Sequence, residues 1–376
     1  MKNFILRSAF MQFNRRTTVT MAAAWLLIAL ASCATQVARQ DQASQGERWV
    51  GTWGASPTVP AQNGQGFNNQ TLRLIVHATL GGDEVRIRIT NAFGTKPLVV
   101  GAASVALQQS GAAIAPNSNR ALTFNGRATA TIPPAALIVS DPVKLHINAQ
   151  QNLAVSIFLP SETGPATVHP LATQESFVSG AGNFVANADA APFATTIQTW
   201  PLLSEVEVRN NTVRSIVTFG DSITDGFKST VSANHRWPDY FTSRLLSAGQ
   251  NVSVVNEAIS GNRLLHDSAG GRPIFGPNGL SRFDRDVLAV SNVSHIVVLI
   301  GINDIGMGSP ARNPEEVVSA DEIIAGLHQL TLRAHARGLK IIGATLTPFR
   351  QAAYITEEGE AKRQAVNNWI RATKDF

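Results

Sequence analysis

The stretch that decides the fold runs from residue 214 to residue 226 and reads Arg-Ser-Ile-Val-Thr-Phe-Gly-Asp-Ser-Ile-Thr-Asp-Gly. Its first part, Ser215–Phe219, is mainly apolar and β-branched, as expected for a strand buried on both faces. Its second part, Gly220–Gly226, consists of small and turn-forming residues. The stretch therefore predicts a buried strand that ends in a polar loop.

Strand-like and helix-like segments alternate from this stretch to residue 376. Besides Ser215–Phe219, the predicted strands are Val252–Val255, His295–Ile300 and Leu339–Leu346. Between and after them, apolar residues recur at helical spacing; these faces comprise Trp237, Phe241, Leu245 and Leu246, then Leu280, Phe283, Val287 and Leu288, then Ile323, Ile324, Leu327 and Leu330, then Val366, Trp369 and Ile370. The alternation predicts an α/β domain, residues 211–376, with a parallel sheet whose ligands bind beyond the carboxyl ends of the strands.

The preceding part of the chain, residues 48–210, has a different periodicity. Many short segments alternate apolar and polar residues and are separated by glycine and proline. Thr71–Leu80 and Val85–Thr90, joined by Gly81-Gly82-Asp83, are predicted to form a hairpin with one buried face. The pattern predicts an antiparallel β-sandwich or jelly roll in front of the α/β domain.

The amino terminus has the layout of an export signal. Arg15 and Arg16 precede an apolar run, Met21–Ala31, which is too short to span a bilayer. Leu30-Ala31-Ser32-Cys33 resembles a bacterial lipobox, which implies acylation of Cys33, the single cysteine. We expect residues 1–32 to be a signal peptide, residues 33–47 a tether, and the protein to be a cell-envelope lipoprotein or secreted. In the alternative, an ordinary signal peptide, Cys33 is incidental.

Composition and charge exclude several classes of protein. The chain has 376 residues, 44% of them apolar and 15% charged, which argues against disorder. Its net charge of +5 falls to +1 without Lys2, Arg7, Arg15 and Arg16, because residues 1–32 contain no acid. A nearly neutral body lacks the electrostatic footprint of a nucleic-acid partner. With one cysteine and no His/Asp/Glu cluster at metal spacing, we expect no metal and no cofactor.

Polar loops follow three of the predicted parallel strands. Gly220-Asp221-Ser222 follows the first, Ser260-Gly261-Asn262 the second, and Gly301-Ile302-Asn303-Asp304 the third. Together they supply a hydroxyl nucleophile, a glycine whose backbone can be approached closely, and a side-chain amide donor. These are the minimal groups for acyl transfer, since an attacking oxygen and N–H donors for the oxyanion are both needed.

These blocks resemble the GDSL, or SGNH, hydrolase family in three of its four signature motifs, over residues 214–376. The resemblance implies a flavodoxin-like parallel sheet with flanking helices. It also implies that Ser222 is the nucleophile and an oxyanion donor, that Gly261 gives a backbone N–H, and that Asn303 gives a side-chain N–H. Asp221 is expected to be structural.

The fourth motif of the family, D-x-x-H, does not occur in the sequence. We expect the catalytic Asp and His to lie beyond residue 376 of the complete protein. Two alternatives stay open: the protein is a pseudoenzyme, or another histidine substitutes. His266, beside Asp267 and close to Gly261, is the best internal candidate, although a surface histidine is the simpler interpretation.

The front part resembles secreted bacterial GDSL esterases with an amino-terminal β-sandwich, through Trp49-Val50-Gly51-Thr52-Trp53, Asn91-Ala92-Phe93-Gly94-Thr95 and Arg236-Trp237-Pro238-Asp239. This resemblance implies an ester substrate, with an acylated carbohydrate preferred and a lipid or lysophospholipid as the alternative. A non-catalytic surface protein that binds polysaccharide is the competing hypothesis. The only membrane contact we expect is the lipid anchor at Cys33.

Overall fold

The computed structural model describes residues 48–61, 63–211, 213–268, 272–308, 313–350, 352–354 and 356–376. The predicted signal peptide, the tether and Cys33 lie outside these residues. Trp49–Phe376 form one compact unit. No helix in the described part of the chain is both long and apolar enough to cross a membrane.

The first half of this unit is built from sixteen short strands. They are β1 (Trp49–Gly54), β2 (Gln70–Ala78), β3 (Gly82–Thr90), β4 (Leu98–Val100), β5 (Ala102–Ser110), β6 (Ala113–Ile114), β7 (Arg120–Leu122), β8 (Ala130–Ile132), β9 (Leu137–Val139), β10 (Val143–Ile147), β11 (Gln151–Leu159), β12 (Val168–His169), β13 (Ser176–Ala181), β14 (Thr195–Ile197), β15 (Trp200–Pro201) and β16 (Leu203–Arg209).

These strands form two main antiparallel sheets around a shared apolar core. One sheet has the order β1-β16-β3-β10, with β9 on β3; the other has the order β14-β13-β2-β11-β5-β6, with β7 on β5. Two short ladders, β4-β8 and β12-β15, complete this part. Leu74 and Val76 of β2 and Ile87 and Ile89 of β3 are fully buried in the shared core. The antiparallel β-rich fold expected for this region is therefore present.

The predicted hairpin between β2 and β3 is wrong. The two strands lie in different sheets: β2 pairs with β11 and β13, whereas β3 pairs with β16, β10 and β9. Gly81, which connects them, passes close to the backbone of another segment, since a Cβ there would lie 2.5 Å from the carbonyl oxygen of Ile147. Alternation fixes which face of a strand is buried, but it does not fix the partner strand.

The second half contains a four-stranded parallel sheet in the order β18-β17-β19-β20. Its strands are β17 (Ser215–Gly220), β18 (Ser253–Asn256), β19 (Val293–Leu299) and β20 (Lys340–Gly343). The helices are α1 (Ser222–Asp225), α2 (Trp237–Ser247), α3 (Gly279–Phe283), α4 (Ile302–Met307), α5 (Ala320–Ala336) and α6 (Glu357–Ala372). The parallel sheet matches the prediction, with one local difference: α3 continues as a π-helical turn over Asp284–Leu288.

The edge strand β18 packs closely against β1 of the antiparallel part. Ser253 Oγ donates to the carbonyl oxygen of Gly51, and the Val254 N–H donates to Thr79 Oγ1 over 3.2 Å. Gly54 is required here, because a Cβ at this position would overlap the Glu257 carboxylate and lie 2.5 Å from Val255 Cγ1. The parallel sheet is thus covered on this side by the first strand of the sandwich.

Candidate active site

The three predicted site loops follow three adjacent strands of the parallel sheet. Ser222 begins α1 directly after β17, Gly261 follows β18, and Asn303 lies in α4 after β19. The central strand β17 pairs with β18 on one side and with β19 on the other. Because all three strands are parallel, their carboxyl ends meet at one edge of the sheet.

Hydrogen bonds join the three loops to one another. The Ile259 N–H donates to the carbonyl oxygen of Gly220 over 3.1 Å, which ties the Gly261 loop to the strand end before Ser222. Asn303 Nδ2 donates to the carbonyl oxygen of Asn262 over 2.9 Å. The structure therefore brings the Gly261 loop into contact with the elements that carry Ser222 and Asn303.

Gly261 has a backbone that other residues rarely adopt. Its φ is +77°, in the left-handed region that favours glycine. A Cβ at this position would lie 2.5 Å from the Phe275 ring, so the residue is also sterically confined. Asn262 holds the adjacent loop, since its Nδ2 donates over 2.8 Å to the carbonyl oxygens of both Phe275 and Pro277.

The aspartates near Ser222 accept hydrogen bonds from backbone N–H groups of the site loops. Asp221 is the N-cap of α1, and its Oδ1 accepts a hydrogen bond of 3.0 Å from the Ile223 N–H. Asp304 accepts from the N–H groups of Leu264 and Leu265 over 2.7 and 2.9 Å. Burial raises the pKa of Asp221 to about 7 and that of Asp304 to about 6. These carboxyls stabilise the loops through backbone contacts.

A buried arginine forms hydrogen bonds with the ends of two strands and with the loop that carries Gly261. Arg282 of α3 donates to the carbonyl oxygen of Gly220 over 3.0 Å, to that of Glu257 over 2.7 Å and to Asn262 Oδ1 over 2.9 Å. It also reaches Ser56 of the sandwich, whose Oγ lies 3.0 Å away. The apolar spacing of this helix predicts only an apolar face and carries no signal for a buried charge.

The eight histidines of the chain all lie in the described residues, and none of them is hydrogen-bonded to the Ser222 side chain there. His266 follows the two residues whose backbone N–H groups Asp304 binds, and hydrogen bonds from Arg263 lower the pKa of the neighbouring Glu316. His235 stacks on Tyr240, with ring centroids 5.4 Å apart. His169 of β12 bonds to Asp225 of α1 over 3.0 Å.

The contact between His169 and Asp225 links the sandwich to the helix that begins at Ser222, and no sequence pattern predicts this contact. The two residues are 56 positions apart, so neither periodicity nor motif spacing relates them.

The surroundings of the site also include two partly exposed aromatic side chains. Phe227 is 58% exposed just after α1, and Tyr354, 41% exposed, lies against Gly306 of α4.

Similarity to known proteins was found at the level of a family and of solved structures. The model of the GDSL-like lipase/acylhydrolase family matches residues 218–376. No curated protein matches the chain. Similar solved structures include the acetyl xylan esterase AlAXEase, with 18% identity over 42% of this chain and 70% of that chain and a TM-score of 0.31. Another is Est24, a carbohydrate acetylesterase from Sinorhizobium meliloti, with 19% identity over 42% and 78% and a TM-score of 0.33.

The esterase AlinE4, of the SGNH-hydrolase family, has 20% identity over 44% of this chain and 76% of that chain, with a TM-score of 0.30. The matched family segment begins within β17 and includes Ser222, Gly261 and Asn303. Residues 218–376 of this chain are thus a domain of the GDSL-like lipase/acylhydrolase family.

Proposed function

We propose that the protein is a serine ester hydrolase that works through an acyl-enzyme. The observation that carries the proposal is the placement of Ser222, Gly261 and Asn303 after three adjacent parallel strands, with hydrogen bonds between their loops. Ser222 Oγ attacks the ester carbonyl and loses its proton to a base. The base passes this proton to the alcohol, which leaves, and water then hydrolyses the acyl-serine to release the acid and restore the serine hydroxyl.

Three N–H donors stabilise the oxyanion in this mechanism: the backbone N–H of Ser222, the backbone N–H of Gly261 and the side-chain amide of Asn303. A neutral amide donates to developing negative charge without a competing proton transfer. Removal of one such donor lowers transition-state stabilisation by about 2.7–4 kcal/mol. We therefore expect Asn303→Ala to reduce kcat by about 100-fold to 1,000-fold.

The proposed general base is a histidine of a D-x-x-H sequence, as the family resemblance implies. The described histidines near the site do not fit this role. His169 has both ring nitrogens engaged with protein oxygens, and in the described residues no hydrogen bond joins His266 to Ser222. We expect the D-x-x-H sequence beyond Phe376 in the complete protein, and reading the gene downstream of this codon tests that expectation.

The proposed substrate class is an acylated carbohydrate. This choice rests on the resemblance of the amino-terminal motifs to secreted esterases, and the exposed aromatic rings of Phe227 and Tyr354 beside the site are suited to contacts with sugar rings. A lysophospholipid is the alternative substrate. Initial rates on acetylated oligosaccharide and on lysophosphatidylcholine distinguish the two.

Hydrolysis of p-nitrophenyl acetate by the complete protein tests the reaction itself. Ser222→Ala is expected to abolish turnover, because it removes the attacking oxygen. Ser247→Ala, which changes an exposed serine of α2, is the matched control and is expected to retain full activity. Equal activity of Ser222→Ala and the unaltered protein would reject Ser222 as the nucleophile. Binding of polysaccharide without any hydrolysis would favour the non-catalytic alternative.

We further propose that the protein is exported and held at the cell envelope by acylation of Cys33. This proposal rests on the sequence pattern of residues 15–33.

A further inference from the structure

His169 lies where the sandwich meets α1, and only 2% of it is exposed. Its Nδ1 is 2.9 Å from the carbonyl oxygen of Ser56. Its Nε2 is 3.0 Å from Asp225 Oδ1 and 3.2 Å from the carbonyl oxygen of Leu171. All three neighbours are acceptors when Asp225 is ionised, so each ring nitrogen must carry a proton. The geometry therefore fits an imidazolium that is paired with a carboxylate.

The electrostatics agree with this assignment. Burial lowers the pKa of His169, but the Asp225 charge and the hydrogen bonds to Asp225, Ser56 and Leu171 outweigh burial, and the net effect is a raised pKa. The Trp200 ring also packs against His169, with centroids 5.6 Å apart.

A small cavity beside the pair is lined by three further titratable side chains, His77, Arg236 and Asp239. Arg236 and Asp239 pair with each other over 3.3 Å. His77 Nδ1 lies 2.7 Å from Asn152 Oδ1. Asp225 is therefore the charged group that His169 contacts directly.

The second oxygen of Asp225 contacts residues 257–262, the loop after β18 that carries Gly261, which we call the oxyanion loop because Gly261 is a proposed oxyanion donor. Asp225 is the last residue of α1, the four-residue helix that Ser222 begins. Its Oδ2 accepts a hydrogen bond of 2.6 Å from the Ser260 N–H. Ser260 directly precedes Gly261, so the carboxylate fixes the backbone next to a proposed oxyanion donor relative to the helix of the nucleophile.

We infer that His169 of the sandwich is a positioning residue for the esterase site: it holds Asp225, which aligns the Gly261 backbone N–H with Ser222. The inference rests on the proposed function. His169 acts through Asp225 on the oxyanion loop. Without the imidazolium, the buried Asp225 side chain loses a charged hydrogen-bond donor, which is costly at a buried site, and its position changes. This change weakens the hydrogen bond that Asp225 accepts from the Ser260 N–H.

His169→Gln in the complete protein tests this inference. Glutamine keeps one N–H donor for Asp225 but carries no charge. We expect kcat for p-nitrophenyl acetate to fall by about 10-fold to 100-fold, because small misplacements of catalytic groups cost rates of this order. KM should change less than twofold. His146→Gln is the matched control, because it alters an exposed histidine 2.7 Å from Asp83, and it should leave kcat unchanged.

The pH profile and amide exchange separate positioning from a general loss of structure. In the unaltered protein, kcat should fall at alkaline pH as His169 loses its proton, and His169→Gln should lack this fall. Hydrogen exchange at the Ser260 amide should be at least 10-fold faster in His169→Gln, with exchange in the parallel sheet unchanged. The exchange measurement needs no turnover. It therefore tests the contact between Asp225 and the Ser260 N–H even if the proposed function fails. That failure would show as equal inactivity of Ser222→Ala and the unaltered protein.

The double variant His169→Gln/Asp225→Asn covers the case in which the single variant does not fold, because it removes both charges together. Its kcat should also be lowered at least 10-fold, and its kcat should not respond to alkaline pH in the range where the unaltered protein does. An unchanged kcat in either folded variant would overturn the inference. So would a lowered kcat with unchanged Ser260 exchange and an unchanged pH profile.

Discussion

The charge of Asp221, directly before the proposed nucleophile, makes the protein less stable as pH rises. The side chain is fully buried, its Oδ1 caps α1 through the Ile223 N–H, and its Oδ2 has no hydrogen-bond partner in the described structure. Asparagine has the same shape and retains the capping oxygen. We therefore expect Asp221→Asn to remove the charge without removing the cap.

The magnitude follows from the pKa. Burial is the largest cause that raises the pKa of Asp221 from an ordinary 3.8 to about 7. The charges of Asp304 and Asp225 raise this pKa further, whereas the hydrogen bond from the Ile223 N–H and the charge of Arg282 lower it. The folded state thus holds this proton more tightly than the unfolded chain. The free energy of unfolding falls between pH 3.8 and about 7 and then stays level with respect to this group. The full difference corresponds to at most about 4 kcal/mol, at about 1.36 kcal/mol for each pH unit.

Urea unfolding at pH 4, 6 and 8 tests the prediction. Asp221→Asn and the unaltered protein should have similar unfolding free energies near pH 4, and the variant should be increasingly more stable toward pH 8. Asp321→Asn, at an exposed position in the first turn of α5, is the control and should show no comparable gain. A stability difference that does not depend on pH, or a variant less stable than the unaltered protein at pH 8, would refute the reasoning.

Three further perturbations test other parts of the structure. Gly54→Ala places a Cβ against Glu257 and Val255, and we expect a loss of about 1–3 kcal/mol in urea unfolding; unchanged stability would contradict the close packing of β1 on β18. Arg282→Met removes a fully buried cation whose partners are buried, and we expect a loss of about 3–5 kcal/mol by the same method; a loss below 1 kcal/mol would show that its contacts contribute little to stability. Cys33→Ser should shift the exported protein from the membrane fraction to the soluble fraction and abolish incorporation of labelled palmitate; unchanged membrane retention would refute the anchor.

The parallel part of the fold was predictable because its signals are local. β17 and β19 appear as short apolar runs, and the helices after them show apolar residues at helical spacing. The partner of β2 was not predictable in this way, since its alternation is satisfied equally by either sheet. Its partner in the structure, β11, also carries an alternating pattern, as do several other segments of the sandwich.

The candidate site shows the same division. The placement of Ser222, Gly261 and Asn303 at one edge of the sheet was predictable because each follows a strand, and the carboxyl ends of parallel strands meet at one edge. The expected structural role of Asp221 fits its cap of α1, but the contacts of these loops with residues of the sandwich were not predictable, because those residues lie far away along the chain. Ser56 Oγ bonds to Glu257 Oε2 across 201 positions, and no periodic pattern relates the two.

These long-range contacts determine how much of the chain is needed to hold the candidate site. The family segment begins at residue 218, yet two of its buried carboxyl groups find partners in the sandwich. Asp225 pairs with His169, and Glu257 accepts a hydrogen bond of 2.7 Å from Ser56 Oγ. Burial raises the pKa of Glu257 well above its ordinary value, so the protonation state of Glu257 depends on its hydrogen-bond partners. Because a buried polar group without a partner is costly, we expect the loops of the site to depend on the sandwich for their conformation. The smallest unit that retains the geometry of this site therefore includes β1, β12 and the strands that hold them, together with the family segment.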